Sequence, residues 1–443
     1  MTKRLTSAFD SRGHVEHTAI RRAFLSGAGA KIGTVFLNFL SIGFALRDLG
    51  PDGFALILTL YNMIAIVGFL DFGIGNSIIT SVASAAGLER DATIRQTLSN
   101  AFAVLSTVCA LILLLGLPVG WFALDHVLPG LSHTSTVVVF IFVVSCAVAI
   151  PASLGTKLAI AFHYGYANSM TFFSSSAVTC ALCGLGVVLG MPTPYYALTF
   201  FAVPPIANAV QTALIVTRLS EFQRPRASEC SKGEQLILIR GGIPFMVLAM
   251  AGAATYQTQT LVILSTLGTT AATNFGIAVR VFTALITLFS SGLQQTWGGL
   301  ASALGRGDTR WAQVTFFKVL ALTLATSTIC CLFLISARTV IFALLSDGQA
   351  IPSAGLLSVL SVWTVYNLAM TQVSFLLNSA DRVWLQAALS ALMAIVAVPL
   401  SVVLAKLLGP VGPVLATLTT HISLLLIPTT VQAVHVLRPR SRS

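Results

Sequence analysis

The fold is decided by the stretch that begins Leu49-Gly50-Pro51-Asp52-Gly53-Phe54, continues through a long apolar run, and ends Ala83-Ser84-Ala85-Ala86-Gly87. A gap-free shift of 218 positions leads to Leu267-Gly268 and to Ala301-Ser302-Ala303-Leu304-Gly305. Repeats of this size in an apolar sequence are typical of transporters, whose substrate sites lie where the repeats meet. The alternative is a chance match, because Ala, Gly and Leu are abundant in this chain. We therefore predict a chain built from two similar halves.

The composition predicts a membrane protein. Of the 443 residues, 9% are charged and 56% are hydrophobic, and the mean hydropathy is +0.89. A soluble domain usually carries about 25% charged residues, so this chain has too few to cover a water-facing surface. The net charge of +11 lies in short clusters between apolar runs. That placement favours attraction to anionic lipid over nucleic-acid binding.

Apolar runs long enough to cross a bilayer recur along the whole chain. A helix needs about 20 apolar residues to cross the hydrocarbon core, and by this criterion we predict twelve spans. They are 24–46, 54–83, 99–124, 134–154, 166–190, 195–217, 238–265, 272–302, 315–336, 352–376, 384–406 and 411–436. The predicted fold is an all-α polytopic membrane protein, with two pseudo-repeated six-helix lobes around a central cavity.

The basic residues predict the orientation. If both termini share one side, that side holds 20 Lys and Arg residues, and the opposite side holds 3, at Arg47, Arg338 and Lys406. In this count Lys157 belongs to a loop on the first side. Because short cytoplasmic loops are enriched in Lys and Arg, both termini are predicted to be cytoplasmic.

The longest internal polar segment falls near the middle of the chain, at about 218–236. It predicts a cytoplasmic linker between an N-terminal six-helix lobe, 1–220, and a C-terminal six-helix lobe, 221–443.

Three ionisable residues stand out inside predicted spans, where charge is costly and usually faces a cavity or a partner. At 1.5 Å per residue, Lys31 lies about 10 Å into the first span and Asp71 about 18 Å into the second. A long Lys side chain makes a pair between these two reachable. Arg280 lies in the outer half of the eighth span.

The two deep cations predict a partly hydrated cavity for an anionic substrate, because Arg pairs bidentately with phosphate and Lys supplies a point charge. The alternative for Lys31 is that its ammonium extends to the inner membrane interface. Asp71 is predicted to gate or couple transport, with a structural ion pair and a buried protonated acid as the alternatives. The other candidate substrate-binding residues are Asn38, Asn62, Asn274 and Gln257.

Signs of catalysis and of metal binding are weak. The seven histidines are scattered, mostly in loops, and neither HExxH nor GxxxxGK[ST] occurs. Those motifs would indicate a zinc hydrolase and a nucleotide-driven motor, respectively. We therefore expect no catalytic residues, no metal site, no cofactor and no enzymatic activity.

Two motifs about 15 apolar residues apart resemble the start of a known family. They are Leu49-Gly50-Pro51-Asp52-Gly53-Phe54 and Phe69-Leu70-Asp71-Phe72-Gly73-Ile74-Gly75-Asn76. The family is the polysaccharide-biosynthesis flippases, the O-antigen and exopolysaccharide transporters of the multidrug/oligosaccharidyl-lipid/polysaccharide exporter superfamily. The resemblance implies a twelve-helix exporter that carries a polyprenyl-pyrophosphate-linked sugar to the outer leaflet by alternating access. It also implies cationic cavity residues that meet the pyrophosphate, for which Lys31 and Arg280 are the candidates.

Three functions are compatible with these observations. The first is the lipid-linked oligosaccharide flippase. The second is a multidrug or cation antiporter of the same superfamily. The charges disfavour it, because the predicted spans contain one deep carboxylate and two deep cations. The third is a membrane polysaccharide polymerase or acyltransferase, which usually has a sizeable outward loop or an intramembrane histidine constellation.

For the flippase, the expected partners are the lipid-linked glycan, membrane lipids, and the polymerase and glycosyltransferases of the same pathway, without nucleic acid. The expected location is the bacterial inner membrane, as a multi-pass protein with both termini cytoplasmic.

Overall fold

The computed structural model describes residues 14–67, 71–126, 133–162, 164–220, 222–346 and 351–438. Within these ranges the regular structure is entirely helical, which confirms the predicted fold class. The chain forms two compact units, Met1–Gly242 and Ile243–Ser443, which we call the first unit and the second unit.

The described residues of the first unit form seven α-helices and the beginning of an eighth. They are α1 (His14–Val67), α2 (Ile74–Gly87), α3 (Asp91–His126), α4 (His133–Ala152), α5 (Leu154–Ala161), α6 (Gly165–Leu189), α7 (Thr193–Arg218) and α8 (Lys232–Leu267). Within α1 the backbone leaves the helical conformation at Gly50, with φ 69° and ψ 173°. Glycine adopts positive φ without the steric penalty of a side chain, which explains this residue at the kink.

The described residues of the second unit form the rest of α8 and seven further α-helices. They are α9 (Thr269–Gly305), α10 (Thr309–Ser336), α11 (Arg338–Ser346), α12 (Ala354–Ser379), α13 (Trp384–Leu408), α14 (Gly412–His421) and α15 (Ile427–Leu437). A π-helical turn, Ile422–Leu426, joins α14 to α15 without a break.

Ten helical segments within the described ranges are long and apolar enough to cross a membrane, and the chain is a multi-pass membrane protein. One segment, Trp384–Leu437, has 54 residues and contains the last two predicted spans. The predicted continuous span 54–83 is wrong, because a turn separates the end of α1 at Val67 from the start of α2 at Ile74. The span predicted at 134–154 extends to Ala161, so Lys157 lies in a helix and not in a loop.

Each unit has its own apolar core. In the first unit α1 packs against α6 and α4 against α7, around the buried side chains of Phe54, Tyr196 and Phe201. In the second unit α9 packs against α12 around the buried side chains of Phe282 and Trp363, and α13 packs against α14. Both cores consist of large apolar and aromatic side chains from helices that are hydrophobic along most of their length.

Helix boundaries repeat between the units at the offset that the sequence predicts. The starts of α3 and α10 lie 218 residues apart, as do the ends of α2 and α9. From α6 and α13 onward the offset is 219. The kink at Gly50 recurs at Gly268, with φ 86° and ψ −179°. The Leu-Gly pairs that first indicated the repeat therefore occupy the same unusual backbone conformation.

The division between the units lies inside α8, whereas the sequence analysis placed it at 220/221. The polar segment before α8 is attached to the first unit, because Oε1 of Glu229 accepts a hydrogen bond from Nε of Arg95 and lies 2.9 Å from Nη2 of the same side chain. Earlier in the segment, Gln223 donates to Asp91. These contacts hold the predicted linker against the start of α3.

Candidate functional site

A turn of three residues, Asp71 to Gly73, precedes α2 in the first unit. Phe72 has φ 51° and Gly73 has φ 71°, both in the left-handed region. This conformation is uncommon for a bulky residue such as Phe, so the surrounding contacts must hold it. One such contact is local: the amide of Gly73 donates to Oδ1 of Asp71 at 2.8 Å.

A second interruption lies between α4 and α5, at Ser153. Pro151 lacks the amide that would continue the α-helical pattern, which favours a break nearby. The carbonyl of Ala152 accepts from the hydroxyl of Thr212, and the same hydroxyl accepts from the amide of Gly155, each at 2.8 Å. Backbone groups freed inside a membrane must find such partners within the protein. The break is therefore built into the packing of α5 against α7.

The two interruptions bring three polar side chains together. Lys157, on α5, donates from Nζ to Oδ1 of Asn76 at 2.8 Å, and it is close enough to Asp71 for electrostatic attraction. A Cβ added at Gly75 would lie 2.9 Å from Oδ2 of Asp71 and 3.0 Å from Cε of Lys157. The carboxylate of Asp71 and the aliphatic part of the Lys157 side chain therefore both lie against Gly75, which has no side chain. We call this group the 71–76–157 cluster.

Helix α8 contacts the same turn through Gly242. A Cβ added there would lie 2.5 Å from the carbonyl oxygen of Phe72 and 2.8 Å from the amide nitrogen of Ile74. Real Cβ atoms do not approach backbone atoms this closely, so only glycine allows the contact. The turn before α2 is therefore fixed by the cluster on one side and by α8 on another.

Of the site residues predicted from sequence, Asp71 lies in this cluster. Lys31 and Asn38 are half-buried on α1. Asn62 falls where side chains lie outside the described part of the structure. In the second unit Gln257 on α8 and Arg280 on α9 are exposed. Their arrangement around one cavity stays a prediction.

Asn274, on α9, is half-buried, and its Oδ1 is buried without a hydrogen-bond partner among the described residues. A buried acceptor without a partner is uncommon in folded proteins. This keeps Asn274 as a candidate for binding a polar ligand.

Sequence reasoning missed Lys157, which it assigned to a loop. It also missed a polar aromatic cluster in the second unit, where the hydroxyl of Tyr366 lies 2.9 Å from Nδ1 of His421 and Trp363 packs edge-on against the imidazole. The π-helical turn begins directly after this histidine. A proline followed by small residues before Lys157 is the signal that could have indicated a helix break. Within the described residues no group of three or more His, Cys, Asp or Glu could hold a metal ion.

No family model and no curated protein sequence matches this chain. Its fold, however, is similar to that of solved transporters. A MOP superfamily transporter from Pyrococcus furiosus matches with a TM-score of 0.77 and 13% identity, over 95% of this chain and 96% of that one. A MATE transporter from Vibrio cholerae matches with a TM-score of 0.78 and 12% identity, over 95% of each chain. The eukaryotic MATE transporter AtDTX14 matches with a TM-score of 0.68 and 18% identity, over 94% of this chain and 98% of that one. The chain has the fold of these transporters along nearly its whole length.

Proposed function

We propose that this chain is an alternating-access membrane transporter that flips a polyprenyl-pyrophosphate-linked oligosaccharide across the bacterial inner membrane for surface polysaccharide biosynthesis. The transporter part of the proposal is supported by the shared fold, which covers nearly all of the chain. The substrate part is supported by the motif around Asp71, which resembles that of polysaccharide flippases, and by the charge of the membrane helices. A sugar-diphosphate headgroup cannot cross hydrocarbon unaided, because its charges and hydroxyls would lose their water.

The charge of the second unit is the observation that carries the substrate class. Its helices contain basic side chains, including Arg280, but no carboxylate in the part that the structure describes. The described carboxylates, Asp308 and Asp381, lie between helices, and Asp347 lies outside the described residues. A site for an organic cation inside the membrane requires a negative partner. An anionic headgroup fits this unit better.

The carboxylates of the first unit that lie nearest its helix breaks already have partners. Asp71 has Lys157 beside it, and Asp48 accepts a hydrogen bond from the hydroxyl of Tyr196 at 2.6 Å. The charge of Asp71 is therefore offset by a lysine, whereas Asp48 is held by a neutral hydroxyl. The Pyrococcus furiosus transporter with the same fold is described as having a binding pocket of reverse polarity that suggests a different function. The fold is thus compatible with binding pockets of different polarity.

The second candidate is a multidrug or cation antiporter. It is favoured by the MATE transporters among the similar structures, one of which is described as a multidrug resistance protein. It would require Asp71 to bind and release the coupling cation. In that case Asp71→Asn would abolish drug export, and deletion of the gene would raise drug sensitivity.

Reconstitution distinguishes the two candidates. The purified protein in proteoliposomes is given a fluorescent polyprenyl-pyrophosphate disaccharide, and outer-leaflet label is followed with a membrane-impermeant quencher. We expect flipping faster than in protein-free vesicles, and no ethidium uptake driven by a proton or sodium gradient. Ethidium transport without flipping of the lipid-linked sugar would overturn the proposal.

Arg280 supplies the residue-level test. Arg280→Ala should lower the initial rate roughly 10- to 100-fold, the loss expected for a charge-assisted hydrogen bond to phosphate. Arg280→Lys should keep part of the rate, because it retains charge without the bidentate geometry. If both variants transport normally, Arg280 is not a phosphate ligand.

A further inference from the structure

The internal repeat allows each position of the 71–76–157 cluster to be compared with its counterpart in the second unit. At an offset of 218, Asp71 corresponds to Phe289 and Lys157 corresponds to Phe375. Phe289 is 7% exposed and forms a small apolar cluster with Leu293, against which Phe375 packs. The positions of two opposite charges in the first unit are thus occupied in the second by two Phe residues that belong to, or pack against, one apolar cluster.

The backbone differs at the same place. Helix α9 runs unbroken from Thr269 to Gly305, and α12 runs unbroken from Ala354 to Ser379. The corresponding stretches of the first unit are interrupted before α2 and between α4 and α5. Left-handed backbone at Gly50, Glu89 and Gly190 recurs at Gly268, Gly307 and Gly409, whereas the left-handed pair Phe72 and Gly73 corresponds to helical residues of α9.

This difference has a physical consequence. In the second unit, α9 and α12 contact each other there through apolar side chains, Phe289 and Leu293 on one helix and Leu368 and Phe375 on the other, which many weak dispersion contacts stabilise. In the first unit the same place is held by polar contacts, to which only a few atoms contribute. Asp71 begins the turn and Asn76 lies in the first turn of α2, so Lys157 bridges Phe72 and Gly73 between them. A hydrogen bond or an ion pair is either formed or broken, so a segment that such contacts hold can change between two conformations, as a hinge does.

The turn also contacts the helix that leads into the second unit. Gly242 of α8 lies directly against the backbone of Phe72 and Ile74. A change in the turn must therefore displace α8 or lose this contact. The cluster, the turn and α8 form one continuous set of contacts within the first unit.

We propose that Lys157 is a positioning residue of the transport cycle, which holds the hinge before α2 through Asn76 and Asp71 and which has no counterpart in the second unit. This inference rests on the proposed transport function. It assigns the hinge to the first unit, and it assigns Lys157 a role that is distinct from contact with the substrate.

Three variants test it, with Lys406→Met as a matched control, because Lys406 is an exposed lysine near the end of α13. Lys157→Met removes the charge and keeps the stem. Lys157→Arg keeps the charge. Asp71→Phe with Lys157→Phe installs the aromatic pair of the second unit. Each is measured for transport of the fluorescent lipid-linked disaccharide and for amide hydrogen exchange of the first turn of α2.

For Lys157→Met we expect a fall in maximal transport rate of about tenfold or more, as for loss of a charge-assisted hydrogen bond. The half-saturating substrate concentration should stay within about twofold, and the first turn of α2 should exchange faster, because its local opening becomes easier. Lys157→Arg should recover part of the rate. The double Phe variant should lose transport while α2 exchanges as slowly as in the wild type.

Wild-type transport and exchange in Lys157→Met would overturn the proposal, and so would wild-type transport by the double Phe variant. A raised half-saturating concentration with unchanged exchange would make Lys157 a substrate ligand and would equally refute a positioning role. If the wild type does not flip the lipid-linked sugar, the proposed function fails. The exchange measurements would still report whether Lys157 holds the turn.

Discussion

Two adjacent glycines of α8 provide a sharp test of how the turn before α2 is held. A Cβ at position 242 would lie 2.5 Å from the carbonyl oxygen of Phe72 and 2.8 Å from the amide nitrogen of Ile74, both backbone atoms. A Cβ at position 241 would lie 3.6 Å from Cβ of Ser77, an ordinary van der Waals distance. Gly242→Ala should therefore disturb the turn, and Gly241→Ala should not.

Gly241→Ala and Gly242→Ala change the helix propensity of α8 by the same amount, because each replaces Gly by Ala. Replacing Gly by Ala inside a helix stabilises it by about 1 kcal/mol. Overpacking against atoms that cannot rotate away costs about 1–3 kcal/mol. Gly241→Ala should therefore be neutral or slightly stabilising. Gly242→Ala should be about 1–3 kcal/mol less stable than Gly241→Ala, because the difference between them isolates the steric contribution.

The measurement is equilibrium unfolding of the purified protein in mixed micelles, with hydrogen exchange of the first turn of α2 as a local readout. Gly242→Ala should unfold at lower denaturant and exchange faster at Ile74 to Asn76. Equal stability and equal exchange in the two alanine variants would refute the conclusion that α8 contacts the turn at Gly242.

Two further contacts of the first unit allow similar tests. Thr212→Val keeps the shape of the side chain but leaves the amide of Gly155 and a buried carbonyl without their hydrogen-bond partner. It should therefore destabilise the protein by about 1–3 kcal/mol, whereas Thr212→Ser, which keeps the hydroxyl, should not. Equal thermal stability of the two variants would contradict this expectation. The pair between Arg95 and Glu229, at 2.9 Å and partly exposed, should give a coupling free energy of about 0.2–1 kcal/mol in a double-mutant cycle, smaller at high salt. A coupling that does not change with salt would show that charge is not its source.

Much of the architecture could be predicted from the sequence because bilayer thickness and hydrophobicity constrain helices locally. Apolar runs of about 20 residues can only be membrane helices in such a chain. The Leu-Gly pairs at Gly50 and Gly268 indicated the repeat correctly, since positive φ favours glycine at both kinks. The motif around Asp71 was also found from the sequence, although what its residues contact was not.

The residues of the candidate site depended on information that hydrophobicity does not contain. The sequence placed Lys31 within reach of Asp71 and Lys157 in a loop, and only the packing of α5 on α2 shows that Lys157 lies near Asp71. The predicted span 54–83 was wrong for a related reason. An apolar run looks the same whether its helix is continuous or broken, because the break depends on partners elsewhere in the chain, here Lys157 and Gly242.

By itself, the sequence determined that this is a multi-pass helical membrane protein with a repeated plan, because the lipid environment restricts which backbone structures can exist. Only the tertiary structure decided that the two halves differ at one matched place, with Asp71 and Lys157 in the first and Phe289 and Phe375 in the second. The physical reason is that the role of a charged side chain inside a membrane depends on the residue that pairs with it, and these partners lie more than 80 residues apart in the chain.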